Sequence, residues 1–278
     1  MKELDDKIVI GIDVGISTTK IVGLHGGHVV SPIRITAIDP VTSLFGAFGK
    51  YIHDNDISLN KVEKVMLTGV GSAYVKENVY GVSTSKIDEF VADALGARYE
   101  SKIDQAIVVS MGTGTSFVMC HGNEMKHIGG IGIGGGTLQG LSRLLLNTDD
   151  IQKLSALAMQ GDVSHVNLLI GDISSQPLPG LPMNATASLF ARAKNNASQA
   201  DIAAGLVSMV LQSIGSAAVL AAQGTDCRDM VLIGSLSQLP QCKTIFPALE
   251  NLYHVRFHVP KYAAFCTAIG AALAYNRL

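Results

Sequence analysis

Apolar residues enter this chain in short β-branched runs that stop at turns rich in Gly, Ser and Thr. Such runs over 8–13, 19–24 and 29–37 predict three strands joined by tight turns, a meander that opens a mixed sheet. Helical spacing follows over 41–53, where Val41, Leu44, Phe45, Phe48 and Ile52 share one face. A short strand over 64–67 ends at Thr68-Gly69-Val70-Gly71-Ser72, and a helix over 87–99, introduced by Ser83-Thr84-Ser85, closes the first half. The same meander restarts over 106–110, 115–120 and 124–128. A glycine cluster, Gly129 to Gly136, then precedes helices over 138–146 and 149–159. Pro177, Pro179, Gly180 and Pro182 mark a surface loop. A long helix over 198–222, strands over 230–233 and 254–258, and a terminal helix over 263–275 complete an α/β pattern.

The two meanders share a device. The first strand breaks into Val14-Gly15-Ile16-Ser17-Thr18-Thr19-Lys20, and its counterpart breaks into Met111-Gly112-Thr113-Gly114-Thr115-Ser116. Each is followed by an apolar strand and a second glycine turn, His25-Gly26-Gly27-His28 or His121-Gly122-Asn123-Glu124. Glycine lets backbone N–H groups approach an anion, and neighbouring hydroxyls donate to phosphate oxygens. Two copies point to a phosphate clamp built from a duplicated fold. Asp13, at the end of the first strand, suits Mg²⁺ held between nucleotide phosphates, or equally an Asx turn. Lys20 suits a phosphate, or a solvated strand edge.

The Gly129–Gly136 cluster offers N–H groups at a helix start to an anion, or else packs backbone against a neighbour. It is neither a Walker A loop nor a dinucleotide fingerprint. Glu89 is the candidate general base; the alternative is a carboxylate answering a helix dipole, with Ser85 and Asp88 as a capping pair. His127 stands just before the cluster, placed for an anionic substrate or for solvent. Gly234-Ser235 follows an apolar strand, where it can touch a base or ribose.

Composition narrows the partners. With 21 basic and 23 acidic residues in 278, the net charge of −2 sets up no field for nucleic acid or acidic membrane, so a small molecule is the expected partner. Cys120, Cys227, Cys242 and Cys266 contain no CxxC pair, which argues against a zinc ribbon or iron–sulfur cluster and fits a reducing cytoplasm. The start, Met1 to Lys7, has no apolar core of a signal peptide. The uncharged stretch 202–222 is long enough to cross a bilayer. It carries Ser208, Gln212, Ser213 and Ser216, and is read as a helix buried between lobes or at a subunit interface, with Ser198 and Asp201 as a near capping box.

Taken together, the turns resemble the acetate and sugar kinase, actin and heat-shock chaperone superfamily, in which two ribonuclease-H-like lobes close on ATP. Within it, Gly11-Ile12-Asp13-Val14-Gly15, the stretch 109–116, and above all 128–137 are similar to type II pantothenate kinases, as are Ile233-Gly234-Ser235 and 264–271. The resemblance implies lobes at 1–104 and 105–278 and transfer of the γ-phosphoryl of ATP to the primary hydroxyl of pantothenate. It implies Glu89 as base, and Asp13, Gly15, Ser17, Thr18, Thr19 and Lys20 on the β- and γ-phosphates, with Mg²⁺ at Asp13. Thr113, Gly134, Gly135, Gly136, Thr137, Gln139 and Ser235 would line ATP, and Thr115, Ser116 and His127 the acceptor. A homodimer is the family pattern. Relatives carry arginine where this chain has His127 and asparagine where it has Ser110; Lys126 is a candidate substitute for the arginine. The alternatives are a same-fold kinase for another hydroxylated acceptor, a non-catalytic nucleotide or coenzyme A sensor, and an activator ATPase with an iron–sulfur cluster, the last disfavoured by the unpaired cysteines.

Overall fold

A computed structural model describes residues 7–36, 39–176 and 180–277. The predicted loop residues Pro177 and Pro179, the end of the third strand at Ala37 and the start of the chain before Lys7 lie outside these residues. The first lobe is built on strands β1 (Ile8–Val14), β2 (Thr18–His25) and β3 (His28–Thr36), helix α1 (Pro40–Asp54), strands β4 (Val62–Thr68) and β5 (Thr84–Lys86), and helix α2 (Glu89–Ser101). The second is built on β6 (Gln105–Met111), β7 (Thr115–His121), β8 (Glu124–Ile131), α3 (Gly135–Leu146) and α4 (Ile151–Ala158). It continues through β9 (Leu168–Leu169), α5 (Ile170–Ile173), β10 (Thr186–Ser188), α6 (Gln199–Ala222), β11 (Asp229–Ile233), α7 (Cys242–Tyr253), β12 (Arg256–His258) and α8 (Cys266–Leu273).

The duplication read from the turns is visible in the sheets. Their orders are β3-β2-β1-β4-β5 and β12-β11-β6-β7-β8, one sequence of strands run twice. In each, the central strand pairs antiparallel with the next strand and parallel with a later one, β1 with β4 and β6 with β11. The match extends to single residues. Gly69 follows β4 at φ +82°, and a Cβ there would sit 2.7 Å from the carbonyl oxygen of Val14, the last residue of β1. Gly234 follows β11 at φ +89°, and its Cβ would sit 2.5 Å from the carbonyl oxygen of Met111, the last residue of β6. Only glycine combines that backbone angle with that approach.

Two helices join the lobes. One side of α2 (Phe90, Ala94, Ala97) packs on the second sheet with Val108, Val118 and Val231, and the other (Ala92, Leu95) packs on Val9 and Met66 of the first. Helix α8, from the far end of the chain, returns to the first sheet and crosses α2. The crossing has no room for side chains: a Cβ on Gly270 would lie 1.7 Å from the Ala92 carbonyl oxygen, and one on Gly96 1.8 Å from that of Cys266.

Several sequence expectations change. The long apolar helix α6 lies in the core of the second lobe, against β6, β7, α3, α4 and α7, and not between the lobes. Its capping box is complete: Ser198 Oγ accepts from Asp201 N–H at 3.0 Å, and Asp201 Oδ2 accepts from Ser198 N–H at 3.2 Å. Ser83-Thr84-Ser85 does not introduce α2; Thr84 and Ser85, with Lys86, form β5 beside β4, and Asp88 alone caps the helix, accepting from Phe90 and Val91. Gly129 and Gly130 belong to β8, where the sheet continues through them. Helix α7, with Pro247 inside it, has no counterpart in the sequence reading, and His254 ends that helix at φ +54° instead of starting a strand.

Candidate active site

In the first lobe, strand alternation places Asp13 and Lys20 on the sheet face covered by α2 and α8. They stand opposite each other in register, with Lys20 Nζ 3.0 Å from Asp13 Oδ2, and Asp13 is 6% and Lys20 7% exposed. Lys20 is therefore an interior ion pair and not a solvated strand edge. The turn between them is closed by the Gly15 N–H on the Thr18 carbonyl at 3.1 Å. Ser17 is exposed at its tip and Thr18 half-buried. Thr19 is a correction: it pairs with Val14 on the α1 face, and its enclosed hydroxyl has no partner, so its side chain cannot serve a ligand beside Asp13.

In the second lobe two turns, at Gly134–Gly136 and at Gly234, converge on Met111–Gly114. The Gly135 and Gly136 N–H groups donate to the Gly112 and Thr113 carbonyls at 2.8 and 2.9 Å. These donors, expected to be free for an anion, thus build the cradle instead. A Cβ on Gly134 would lie 2.6 Å from the Thr113 carbonyl oxygen. Thr137 and Thr115 are also corrected to supporting roles. The Thr137 hydroxyl accepts from Gly134 N–H and donates to the Gly132 carbonyl, and Thr115 Oγ1 donates to the Ile133 carbonyl at 2.8 Å. Around them Thr113 stays exposed, and Gln139 and Ser235 are half-buried.

Helix α2 brings the third component. Glu89 opens the helix and is half-buried. Burial first, then the Asp13 charge, raises its carboxyl above the ordinary range, and Lys20 pulls it partly back. These couplings put Glu89 within electrostatic reach of the Asp13–Lys20 pair. The next residue, Phe90, stacks on His127 with ring centroids 3.9 Å apart and planes 11° from parallel. A bulge at Ile128 sets the register so that His127 opposes Val118, on the α2 face of the sheet. Ser110 and Ser116 share that face by alternation. Lys126 opposes Met119 on the other face, so it cannot replace an arginine at position 127.

One buried group escaped the sequence reading. Asp93, one turn below Glu89, is fully enclosed and accepts from Thr267 Oγ1 at 2.6 Å. Burial pushes its carboxyl up to about 7; the Thr267 bond opposes this, while Glu89 adds to it. The available signal was an acid four residues after Glu89 inside an alanine-rich run.

Asp13 is the carboxylate at this turn that could hold a divalent cation. Its Oδ2 is paired with Lys20, while Oδ1 faces Gly69, where a Cβ would come within 2.6 Å. Among the described residues no group of three or more His, Cys, Asp or Glu forms a metal cage. A single carboxylate whose remaining ligands are phosphate oxygens and water fits Mg²⁺.

Comparison with known proteins places this chain in a family. The family model described as Fumble matches residues 100–274. The type II pantothenate kinase of Staphylococcus haemolyticus is 30% identical over 228 residues, covering 77% of this chain and 84% of that protein. The chain belongs to the Fumble, or type II pantothenate kinase, family. The Staphylococcus epidermidis member of this family is 28% identical over 275 residues, 94% of this chain and 98% of its own, so the likeness takes in the first lobe as well. Fold similarity reaches further than the family. The activator of the 2-hydroxyisocaproyl-CoA dehydratase from Clostridium difficile with bound ADPNP superposes with TM-score 0.71 at 18% identity, over 97% of this chain and 95% of its own. A glucokinase of the ROK family from Streptomyces griseus, in complex with glucose and AMPPNP, gives 0.62 at 13% identity, over 98% and 100%. The duplicated two-lobe ATPase architecture is thus the one this Fumble-family chain adopts.

Proposed function

We propose that this protein phosphorylates pantothenate with ATP, forming 4'-phosphopantothenate, the first step of coenzyme A synthesis. The observation that carries the reading is Glu89, half-buried at the start of α2 and coupled electrostatically to Asp13 and Lys20. The acceptor hydroxyl gives its proton to Glu89 as its oxygen bonds to the γ-phosphorus, and the bond from that phosphorus to the β-phosphate bridging oxygen breaks. The raised carboxyl makes Glu89 a stronger base than a solvated glutamate, and it works as one only when ionised. Mg²⁺ at Asp13 would neutralise phosphate charge. The turn 15–18 and the cradle at Thr113, Gly134–Gly136, Gln139 and Ser235 would position ATP, with Ser116 and His127 on the acceptor side. The two lobes, dividing in sequence near residue 104, would close over both substrates. Four unpaired, buried thiols support a reducing, cytoplasmic setting. The uncharged outer face of α6, ending at the exposed Leu220, supports a homodimer, which light scattering tests.

The purified protein with ATP, Mg²⁺ and pantothenate should form phosphopantothenate in step with ADP. Glu89→Gln should lower kcat by roughly 10²–10⁴-fold with ATP binding retained. ADP without phosphopantothenate would overturn the acceptor, and full activity in Glu89→Gln would overturn the base. A second reading, a kinase for a different hydroxylated acceptor, draws on the Phe90–His127 stack. An imidazole committed through its ring face has no bidentate grip on a carboxylate. Higher kcat/KM for a neutral amide of pantothenate than for pantothenate itself would favour it.

A further inference from the structure

Among the buried ionisable groups that the mechanism leaves unused, Asp93 stands one helical turn from the proposed base. Asp93 has 0% exposure, yet carboxylates are seldom enclosed without a full set of partners. Here one oxygen, Oδ1, accepts from Thr267 of α8, while Oδ2 is enclosed with no partner. The residue sits between the two zero-clearance contacts of the helix crossing, Ala92 against Gly270 and Gly96 against Cys266. Ser110, one residue before Met111 and the phosphate turn, lies against the same carboxyl from β6. Glu89 lies one helical turn above it. An apolar side chain would fill this space at lower cost than a half-satisfied carboxyl.

We infer that Asp93 is a positioning residue for phosphoryl transfer: anchored by Thr267 where α2, α8 and β6 meet, it fixes the first turn of α2 and so the place of Glu89 relative to the phosphate turn. This rests on Glu89 being the base. The crossing glycines stop α2 from moving toward α8, but a contact at van der Waals distance does not stop rotation about the helix axis. A directed hydrogen bond from Thr267 does. A rotation that swings Glu89 by an ångström is enough to matter, since misplacement of that size costs roughly 10²-fold in rate.

The test is steady-state kinetics on the full chain, with thermal melting and ATP-analogue binding as folding controls. Asp93→Ala should lower kcat at least tenfold, with KM for ATP within threefold of wild type. Asp93→Asn keeps an acceptor for Thr267 and should restore kcat to within threefold. Thr267→Val, which removes only the anchor, should lower kcat without raising KM for ATP. A merely structural role would move melting temperature and KM together and would not separate Asn from Ala. If Asp93→Ala does not fold, Thr267→Val decides: wild-type kcat overturns the inference. If Glu89→Gln is inactive while Asp93→Ala and Thr267→Val keep wild-type kcat, only the Asp93 role falls. If Glu89→Gln is fully active, the base reading falls and takes this inference with it.

Discussion

Two helical glycines, Gly270 and Gly140, should respond to alanine with opposite signs. In a helix interior, replacing glycine by alanine gains about 0.5–1 kcal/mol from backbone entropy alone. Gly140 lies in α3 with nothing within 4 Å of the would-be Cβ, so Gly140→Ala should collect that gain. Gly270 lies in α8 with its would-be Cβ 1.7 Å from the Ala92 carbonyl oxygen, where ordinary contact begins at 3.4 Å. The obstacle is a main-chain carbonyl, which has no side-chain rotamer by which to swing aside. Overpacking of this kind costs up to about 3 kcal/mol, which leaves a net loss of about 2 kcal/mol after the helical gain. At about 2 °C per kcal/mol for a chain of this size, Gly270→Ala should melt about 4 °C below wild type and Gly140→Ala 1–2 °C above it. Because the displaced element is α2, Gly270→Ala should also lose kcat, whereas Gly140→Ala should not. Melting by circular dichroism and steady-state turnover read both effects. Gly270→Ala melting at or above wild type, or Gly140→Ala below it, would refute the close-crossing argument.

Asp201 caps α6 and also accepts from the Asp162 N–H at 2.8 Å and contacts His165 Nδ1 at 3.1 Å. These partners, the Asp162 N–H first, hold its carboxyl well below the ordinary 3.8, so it stabilises the fold above that pH and loses the effect as pH falls through the lower folded value. Asp201→Asn should lower the urea midpoint at neutral pH, with the difference from wild type shrinking below about pH 4. The Tyr51 hydroxyl donates to the Val30 carbonyl at 2.8 Å, and burial pushes its pKa up to about 12. Its stabilisation is complete below the ordinary value of 10 and is lost as pH rises through about 12. In an absorbance titration Tyr51→Phe should remove the last phenolate step and cost about 1 kcal/mol at neutral pH. All four cysteines are buried, and burial pushes Cys120 and Cys242 up to about 12. A thiol reagent should find no reactive cysteine in the native protein and four after denaturation; rapid native labelling would contradict the packing.

Local sequence was sufficient for everything that short-range chemistry controls. The strand runs of both meanders, the helix over 41–53, the Ser198 cap and the two glycine turns all emerged with small errors at their ends. The first copy of the turn drew attention to Asp13, with an Asx turn as an equal alternative, and Thr113 in the second was singled out only through family resemblance. Glu89 was legible only through family resemblance, since one acid at a helix start has a commoner explanation in the helix dipole. Helix α7 was hidden by Pro247, which weakens helical pattern without preventing a helix that packs on the core. Strand β5 was hidden in a Ser-Thr-Ser run that reads as a cap until β4 supplies a parallel partner.

Sequence by itself determined the duplicated architecture, the two glycine turns and the family, because each depends on residue types at fixed spacing along one strand and its turn. Tertiary structure alone decided which of those residues face one another. Strand alternation sent Thr19, Thr115 and Lys126 to faces away from α2, a difference of one residue in register that composition does not reveal. Backbone pairing across 23 residues consumed the Gly135 and Gly136 N–H groups that looked free. The return of α8 from the end of the chain placed Thr267 on Asp93, 174 residues away in sequence. Burial and charge coupling arise from such long-range contacts, so the carboxylates around Glu89 acquire their properties only when both ends of the chain meet.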